Sequence, residues 1–195
     1  MGTPPPGLEG FGPIQVSTSG GNGMWLNLPP VKLYTISFII KSGKILLGHK
    51  KRGFGKGVYN GFGGKVEPGE SVEAAALREL KEEAGITAKL VPCGTFIYFH
   101  EGSDHTFQVE VFKADNYEGE SIETDEMRPE WFDVPDSIEQ NSPIPWESMW
   151  AADRHWYPIM LSGKYFVGRI DFTETMEDGV KKYTLQRWWF GARDT

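Results

Sequence analysis

Cysteine is almost missing: Cys93 stands alone in 195 residues. No disulfide can form within the chain, and a reducing compartment is expected, cytoplasmic with nuclear access left open. Basic residues are missing ahead of Lys32, which excludes both a secretory leader and an arginine-rich mitochondrial presequence. A myristoyl site fails too, because Pro6 stands where Ser or Thr is required after Met1-Gly2. No apolar run approaches the roughly 20 residues of a membrane span, so a soluble protein with no membrane partner is expected. Positive charge is short overall, with 20 Lys and Arg against 27 Asp and Glu and a formal charge of −7. Nonspecific binding to a nucleic-acid duplex needs a basic face, so no nucleic-acid partner is expected. An anionic substrate would have to be met through a local basic patch or a bridging cation.

What is present suits an ordinary globular core: 39% hydrophobic and 24% charged residues in a length that fits one domain. A monomer is expected. Residues 1–30 are rich in Gly, Pro, Ser and Asn, carry only the charge of Glu9, and read as a flexible tail ahead of a folded domain at 31–192. Lys32 to Lys41, dense in β-branched and aromatic residues, and Lys44 to His49 read as a hairpin turned by Ser42-Gly43. The glycines from Gly53 to Gly64 predict a tightly folded loop with short extended pieces. Glu70 to Ala84, free of proline and stopped by Gly85, is the surest helix. Strands are expected near Leu90 to Phe99 and Phe107 to Phe112, at Met127 to Val134, Tyr165 to Phe172 and Lys182 to Phe190. Trp146 to Leu161 reads as mostly helical, with a break near Pro158.

On the Glu70 to Ala84 helix, Glu79, Glu82 and Glu83 fall within one stripe, because positions i, i+3 and i+4 share a face. Leu77, Leu80 and Ala84 cluster on nearly the opposite side, which can pack on a sheet. Three neighbouring carboxylates repel one another. Either water screens them on a solvated face, or a hard divalent cation binds them, as Mg²⁺ does with carboxylate oxygens.

The wider pattern GGKVEPGESVEAAALRELKEEAGI, Gly63 to Ile86, resembles the Nudix box at every fixed position: Gly64, Glu70, Arg78-Glu79-Leu80, Glu82-Glu83 and Gly85-Ile86. The resemblance implies an α+β protein with the Nudix fold, an αβα sandwich with a mixed sheet, that cleaves a diphosphate linked to another moiety. It also implies Mg²⁺, with Mn²⁺ as the alternative, held by Glu79, Glu82, Glu83 and the backbone carbonyl of Gly63 or Gly64. Glu79 and the later Glu126 are the candidates for taking a proton from the attacking water. Arg78 is expected to pair with Glu70 and fix the loop against the helix.

Four further segments, KLYT at Lys32, LLGHKKRGFGKGVYNGFGGKV at Leu46, TDEMRPEWF at Thr124 and MWAADRHWYP at Met149, resemble the MutT-homologue branch that hydrolyses oxidised purine nucleoside triphosphates. That resemblance implies a nucleoside triphosphate substrate cut to monophosphate and pyrophosphate, which sanitises the nucleotide pool. Alternatives are a Nudix hydrolase for another nucleoside diphosphate derivative and a Nudix module that binds nucleotides without catalysis. Lys50, in the basic turn with Lys51 and Arg52, is the expected phosphate contact, with a merely solvated turn as the other reading. The positions matching the family's base slot are Thr35, Phe54, Asn60, Tyr98, His100, Phe107, Trp150, Asp153 and Trp156. Asn60 could equally be a turn residue before Gly61, and Asp153 a helix cap. Where the branch carries two adjacent aspartates, this chain has Ala152-Asp153. One carboxylate leaves less latitude to accept differently keyed bases.

Overall fold

The computed structural model describes residues 3–12, 14–135 and 143–194; Met1, Gly2 and Pro13 of the expected tail lie outside them. In chain order the elements are β1 (Gln15–Gly21), β2 (Val31–Lys41), β3 (Lys44–Lys50), β4 (Tyr59–Asn60), α1 (Val72–Ala84), β5 (Val91–His100), β6 (Thr106–Ala114), β7 (Met127–Asp133), α2 (Asp153–Leu161), β8 (Tyr165–Glu177) and β9 (Val180–Arg193). Strand pairing is mixed: β5 runs parallel to β8, whereas β8 with β9, β1 with β9, and β3 with β2, β4 and β7 are antiparallel. The α+β expectation therefore holds. The chain divides into two compact units. A terminal unit takes in Met1–Leu33, Cys93–Val109 and Ala152–Thr195; a central unit takes in Tyr34–Pro92 and Glu110–Ala151.

In the central unit the β2–β3 hairpin forms where alternation and turn chemistry predict it. Ser42 and Gly43 both take positive φ, 52° and 71°, the turn whose twist matches the flanking strands. Helix α1 starts at Val72 because Ser71 caps it, its hydroxyl accepting from the Ala74 amide at 3.1 Å. Glu70, read from sequence as helical, thus lies ahead of the cap and is free to pair. Gly85 ends the helix in the left-handed region at φ 75°, its amide donating to the Lys81 carbonyl. Ala75, Ala76, Leu80, Glu83 and Ala84 are the buried residues of α1. Leu77, expected on the core face, is instead 36% exposed: the stripe stepping by four through Ala76, Leu80 and Ala84 faces the core, and Leu77 falls beside it. Leu80 and Ala84 join Ile39, Leu46, Phe62, Ile86, Ala114 and Met127 in one apolar cluster.

In the terminal unit the strands run β1-β9-β8-β5, and α2 packs on β8 and β9. The expected break at Pro158 does not occur; the helix runs through it. Proline removes one backbone bond there, but Trp156, Tyr157, Ile159 and Met160 are all buried around it, and that burial outweighs the loss. The stretch before α2 is a short 3₁₀ turn at Trp146–Ser148 followed by extended backbone at Met149, so helix occupies only the latter part of the segment read as helical.

The structure also departs from the expected flexible tail. Gln15–Gly21 forms β1 on the edge of β9, and Leu8, 2% exposed, packs with Ile97, Val167 and Trp189, flanked by Phe11, Ile14, Trp25 and Leu28. These apolar residues are too irregularly spaced to register as a strand or helix pattern. What fastens them is a wholly buried ion pair, Arg169 with Asp171. Arg169 donates to the carbonyls of Pro6 at 2.8 Å and Leu26 at 2.5 Å, and Asp171 accepts from the Leu26 amide at 2.8 Å. The Trp25 ring lies 4.9 Å from the Arg169 guanidinium and 4.6 Å from that of Arg187, a cation–π arrangement.

Candidate active site

The helix stripe and the glycine loop meet in the central unit. Gly63 and Gly64 run so close to β2 and α1 that a side chain on either would collide, at Gly63 with the Thr35 backbone and at Gly64 with the Glu79 carboxylate. The two glycines let the loop backbone approach the glutamates. Glu83, 3% exposed, accepts from the Gly63 amide at 2.8 Å and from Lys50 Nζ at 3.2 Å. Burial pushes its carboxyl up to about 7, and the nearby Glu79 adds to this against the opposing pull of Lys50 and Gly63. Burial likewise raises Glu79, with Arg78 opposing and Glu82 and Glu126 adding repulsion.

Arg78 is a fork between loop and helix. Its guanidinium donates to both oxygens of Glu70 at 2.9 and 3.0 Å, to the Lys65 carbonyl at 3.2 Å, to Glu79 at 2.8 Å and to Glu82 at 3.2 Å. The expected pairing with Glu70 is present, and Arg78, near enough in sequence to offset the stripe, also grips two of its carboxylates. Any Arg four residues ahead of a Glu on a helix carries that signal. Lys50 Nζ sits between Glu83 and Glu126, the latter at 2.8 Å. Burial works against its charge, but the two carboxylates outweigh this and raise its pKa. Glu126 is held below the usual carboxylate range, first by the Lys50 hydrogen bond and further by Arg52.

Among the described residues no three His, Cys, Asp or Glu groups converge as a preformed metal cage; the carboxylates are instead tied to Arg78 and Lys50. The donor set nonetheless fits a hard divalent cation. Glu79 and Glu83 offer carboxylate oxygens beside the Gly63 and Gly64 backbone, where burial disfavours their charged forms and a bound cation would favour them.

The expected base-slot residues fall in two groups. In the central unit, Thr35 is 3% exposed and its hydroxyl has no partner among the described residues. Asn60 pairs with Gly48 on β3, and its side-chain oxygen accepts from the Gly61 amide at 2.9 Å. The turn reading of Asn60 is not met, since Asn60 lies in β4, and its side-chain NH₂ remains available as a donor. Phe54, 54% exposed, stacks on Trp150 with ring centroids 5.2 Å apart and planes 21° apart.

In the terminal unit, Tyr98, His100 and Phe107 form one aromatic group, with centroids 5.4–5.9 Å apart. Asp153 opens α2 but does not cap it. Ala152 holds the cap position without a side-chain bond, and Asp153 accepts from the Trp156 indole N–H at 3.1 Å. Trp156 is 1% exposed, stacked on Phe166 at 5.3 Å and packed on Phe96 and Tyr157. Trp156, expected in the base slot, has its ring in the core, and its N–H orients Asp153. Tyr183, which nothing in the sequence singled out, contacts His100 at 4.7 Å.

A family model for the NUDIX domain matches residues 33–153, more than half of the chain. A Danio rerio protein named oxidized purine nucleoside triphosphate hydrolase is 48% identical over 142 residues, covering 72% of this chain and 86% of the relative. The Mus musculus protein of the same name is 39% identical over 156 residues, covering 80% and 94%. Among solved structures, a MutT protein from Bacillus halodurans aligns with a TM-score of 0.59 at 28% identity, over 79% of this chain and 97% of that one. Among the described residues, no helix is long and apolar enough to cross a membrane.

Proposed function

The chain belongs to the Nudix family, and we propose from that premise that it hydrolyses oxidised purine nucleoside triphosphates to the monophosphate and pyrophosphate, clearing the nucleotide pool of mutagenic precursors. The observation that carries the reading is the buried carboxylate site of α1. Glu83 and Glu79 lie buried against Gly63 and Gly64, with Lys50 and Arg78 as their cation partners. The relatives in zebrafish and mouse, which carry that substrate in their names, support the choice of moiety.

Nudix hydrolases generally use divalent metals. We assign Mg²⁺ here, with Mn²⁺ as a substitute, held by Glu79, Glu82, Glu83 and the Gly63 carbonyl. When bound, the ion supplies charge neutralisation on the phosphates and a site for the attacking water. The chain's own groups do the rest. Arg78 locks the loop onto the helix through Glu70, so the carboxylates and the glycine backbone keep their spacing. Lys50, poised between Glu83 and Glu126, is a cation for the phosphate chain. Glu79, which lies against Gly64, and Glu126, which is bonded to Lys50, are the two candidates for taking the proton from the attacking water. In the central unit Phe54 and Trp150 offer an aromatic surface and Thr35 and Asn60 spare polar groups suited to a nucleoside; in the terminal unit, taken by itself, Asp153 presents an oriented carboxylate suited to a base edge. The protein acts as a monomer in the cytoplasm, without nucleic acid or membrane.

The test is pyrophosphate release from a panel of unmodified and oxidised purine triphosphates, with and without Mg²⁺. Metal-dependent turnover that prefers the oxidised bases is expected. Equal turnover across the panel would remove the base assignment and leave only diphosphate hydrolysis.

A further inference from the structure

The β8–β9 hairpin holds an irregularity that redirects side chains. Asp171 pairs with Arg187 and Phe172 with Leu185, so Gln186 is an extra residue on β9, a β-bulge. Side chains alternate along a strand, and one inserted residue turns everything beyond it to the opposite face. Phe190, which meets Phe166, and Trp188, which stacks on His155 of α2, mark the face that α2 covers. Counting back by twos from them would bring Thr184 and Lys182 to that face. The bulge brings Leu185 and Tyr183 there instead, opposite Phe172 and Glu174.

Tyr183 is held in that position. Its hydroxyl donates to Glu174, whose carboxylate also accepts from Lys181 at 3.0 Å. Its ring contacts His100 at 4.7 Å, and His100 in turn meets Tyr98 and Phe107. Tyr98 packs on Phe172 at 5.3 Å, and Asp153 joins the same face through Trp156, from whose indole N–H it accepts and whose ring packs on Phe96, two residues before Tyr98 on β5. One continuous face of the terminal unit thus runs from Asp153 through Tyr98 and His100 to Tyr183.

We propose that Tyr183 is a specificity-determining residue, closing the His100 end of this aromatic face and bounding the modified edge of the base. The inference rests on the oxidised-purine reading of the preceding subsection. An oxidised purine differs from its parent by one oxygen on the base edge, so a wall there acts on selectivity and leaves the phosphate chemistry alone. Glu174 is a positioning residue that acts through Tyr183.

Steady-state kinetics of the wild type, Tyr183→Ala and Tyr183→Phe with 8-oxo-dGTP and dGTP, beside thermal melts, test it. Tyr183→Ala is expected to raise KM for 8-oxo-dGTP about 3- to 10-fold with kcat little changed, narrowing the preference over dGTP. Tyr183→Phe keeps the ring and most of the preference, and Glu174→Gln, whose amide oxygen can still accept from the Tyr183 hydroxyl, changes the ratio no more than Tyr183→Phe does. Should Tyr183→Ala melt below the assay temperature, Tyr183→Leu decides by the same ratio. A selective wild type whose variants keep the same ratio overturns the role of Tyr183 alone. A wild type without preference for the oxidised base overturns the substrate reading, and this inference with it.

Discussion

Replacing Asp171 by Ala tests how the N-terminal segment is held. Asp171 and Arg169 have no exposure, and Asp171 accepts two hydrogen bonds from Arg169, at 2.9 and 2.8 Å, and one from the Leu26 amide. Without the carboxylate, Arg169 keeps its contacts to Pro6 and Leu26 but remains a buried cation with no counter-charge. Stranding one partner of a buried pair costs about 3–5 kcal/mol, and at this chain length each kcal/mol moves the melting temperature by about 2–4 °C. A fall of about 6–20 °C is therefore expected by calorimetry. The second arm repeats the substitution in a protein lacking residues 1–28. There, water reaches Arg169 directly, and the same substitution should cost under about 1 kcal/mol, as for exposed pairs. Equal losses in the two backgrounds, or a shift below about 3 °C in the full chain, would show that the segment does not seal the pair.

Glu82→Gln and Glu83→Gln should each lower Mg²⁺-dependent turnover by at least about 10²-fold with no fall in melting temperature, which pyrophosphate release beside thermal melts will check. In metal-free buffer Glu83 should give stability a distinct pH dependence. Its folded pKa, about 7, lies above the unfolded value, so its contribution is full below the ordinary carboxylate range and is lost as pH rises through 7, on the order of 3 kcal/mol. Melts across pH 5 to 8 should show this slope in the wild type and not in Glu83→Gln. Asp153→Ala and Asn60→Ala should each lower kcat/KM on the preferred oxidised purine by about 1–3 kcal/mol, while Ala152→Asp should change the ratio of activities on oxidised adenine and oxidised guanine triphosphates; an unchanged ratio in all three would place these residues away from the base.

The catalytic helix was legible because its signals are local. The proline-free run to Ala84, the stop at Gly85 and the spacing of Glu79, Glu82 and Glu83 lie close together and need no knowledge of the rest, whereas the cap at Ser71 was passed over and the start set at Glu70. The β2–β3 hairpin was legible for the same reason. Leu77 was misplaced because a helical wheel does not say which of two adjacent apolar stripes the sheet will cover. The role of the N-terminal segment was hidden because its partners, Arg169, Asp171, Trp189 and β9, lie more than 140 residues away, and a glycine-rich strand such as β1 has little intrinsic signature. Trp156 was misread since composition cannot distinguish a buried indole from an open one. Tyr183 escaped notice because the bulge at Gln186 breaks the alternation by which faces are counted.

The pairing of β1 with β9 also sets an order on biosynthesis. Gly21 leaves the ribosome some 160 residues before Val180, an interval of about 10–30 s at ordinary elongation rates. Through that interval Leu8, Phe11, Ile14 and Trp25 have no β9 to cover them, while the helix and loop of the central unit can already close on each other. The first strand made is thus among the last to be seated, and a nascent chain stalled before Arg193 would present an uncovered apolar segment and an unpaired strand edge to chaperones.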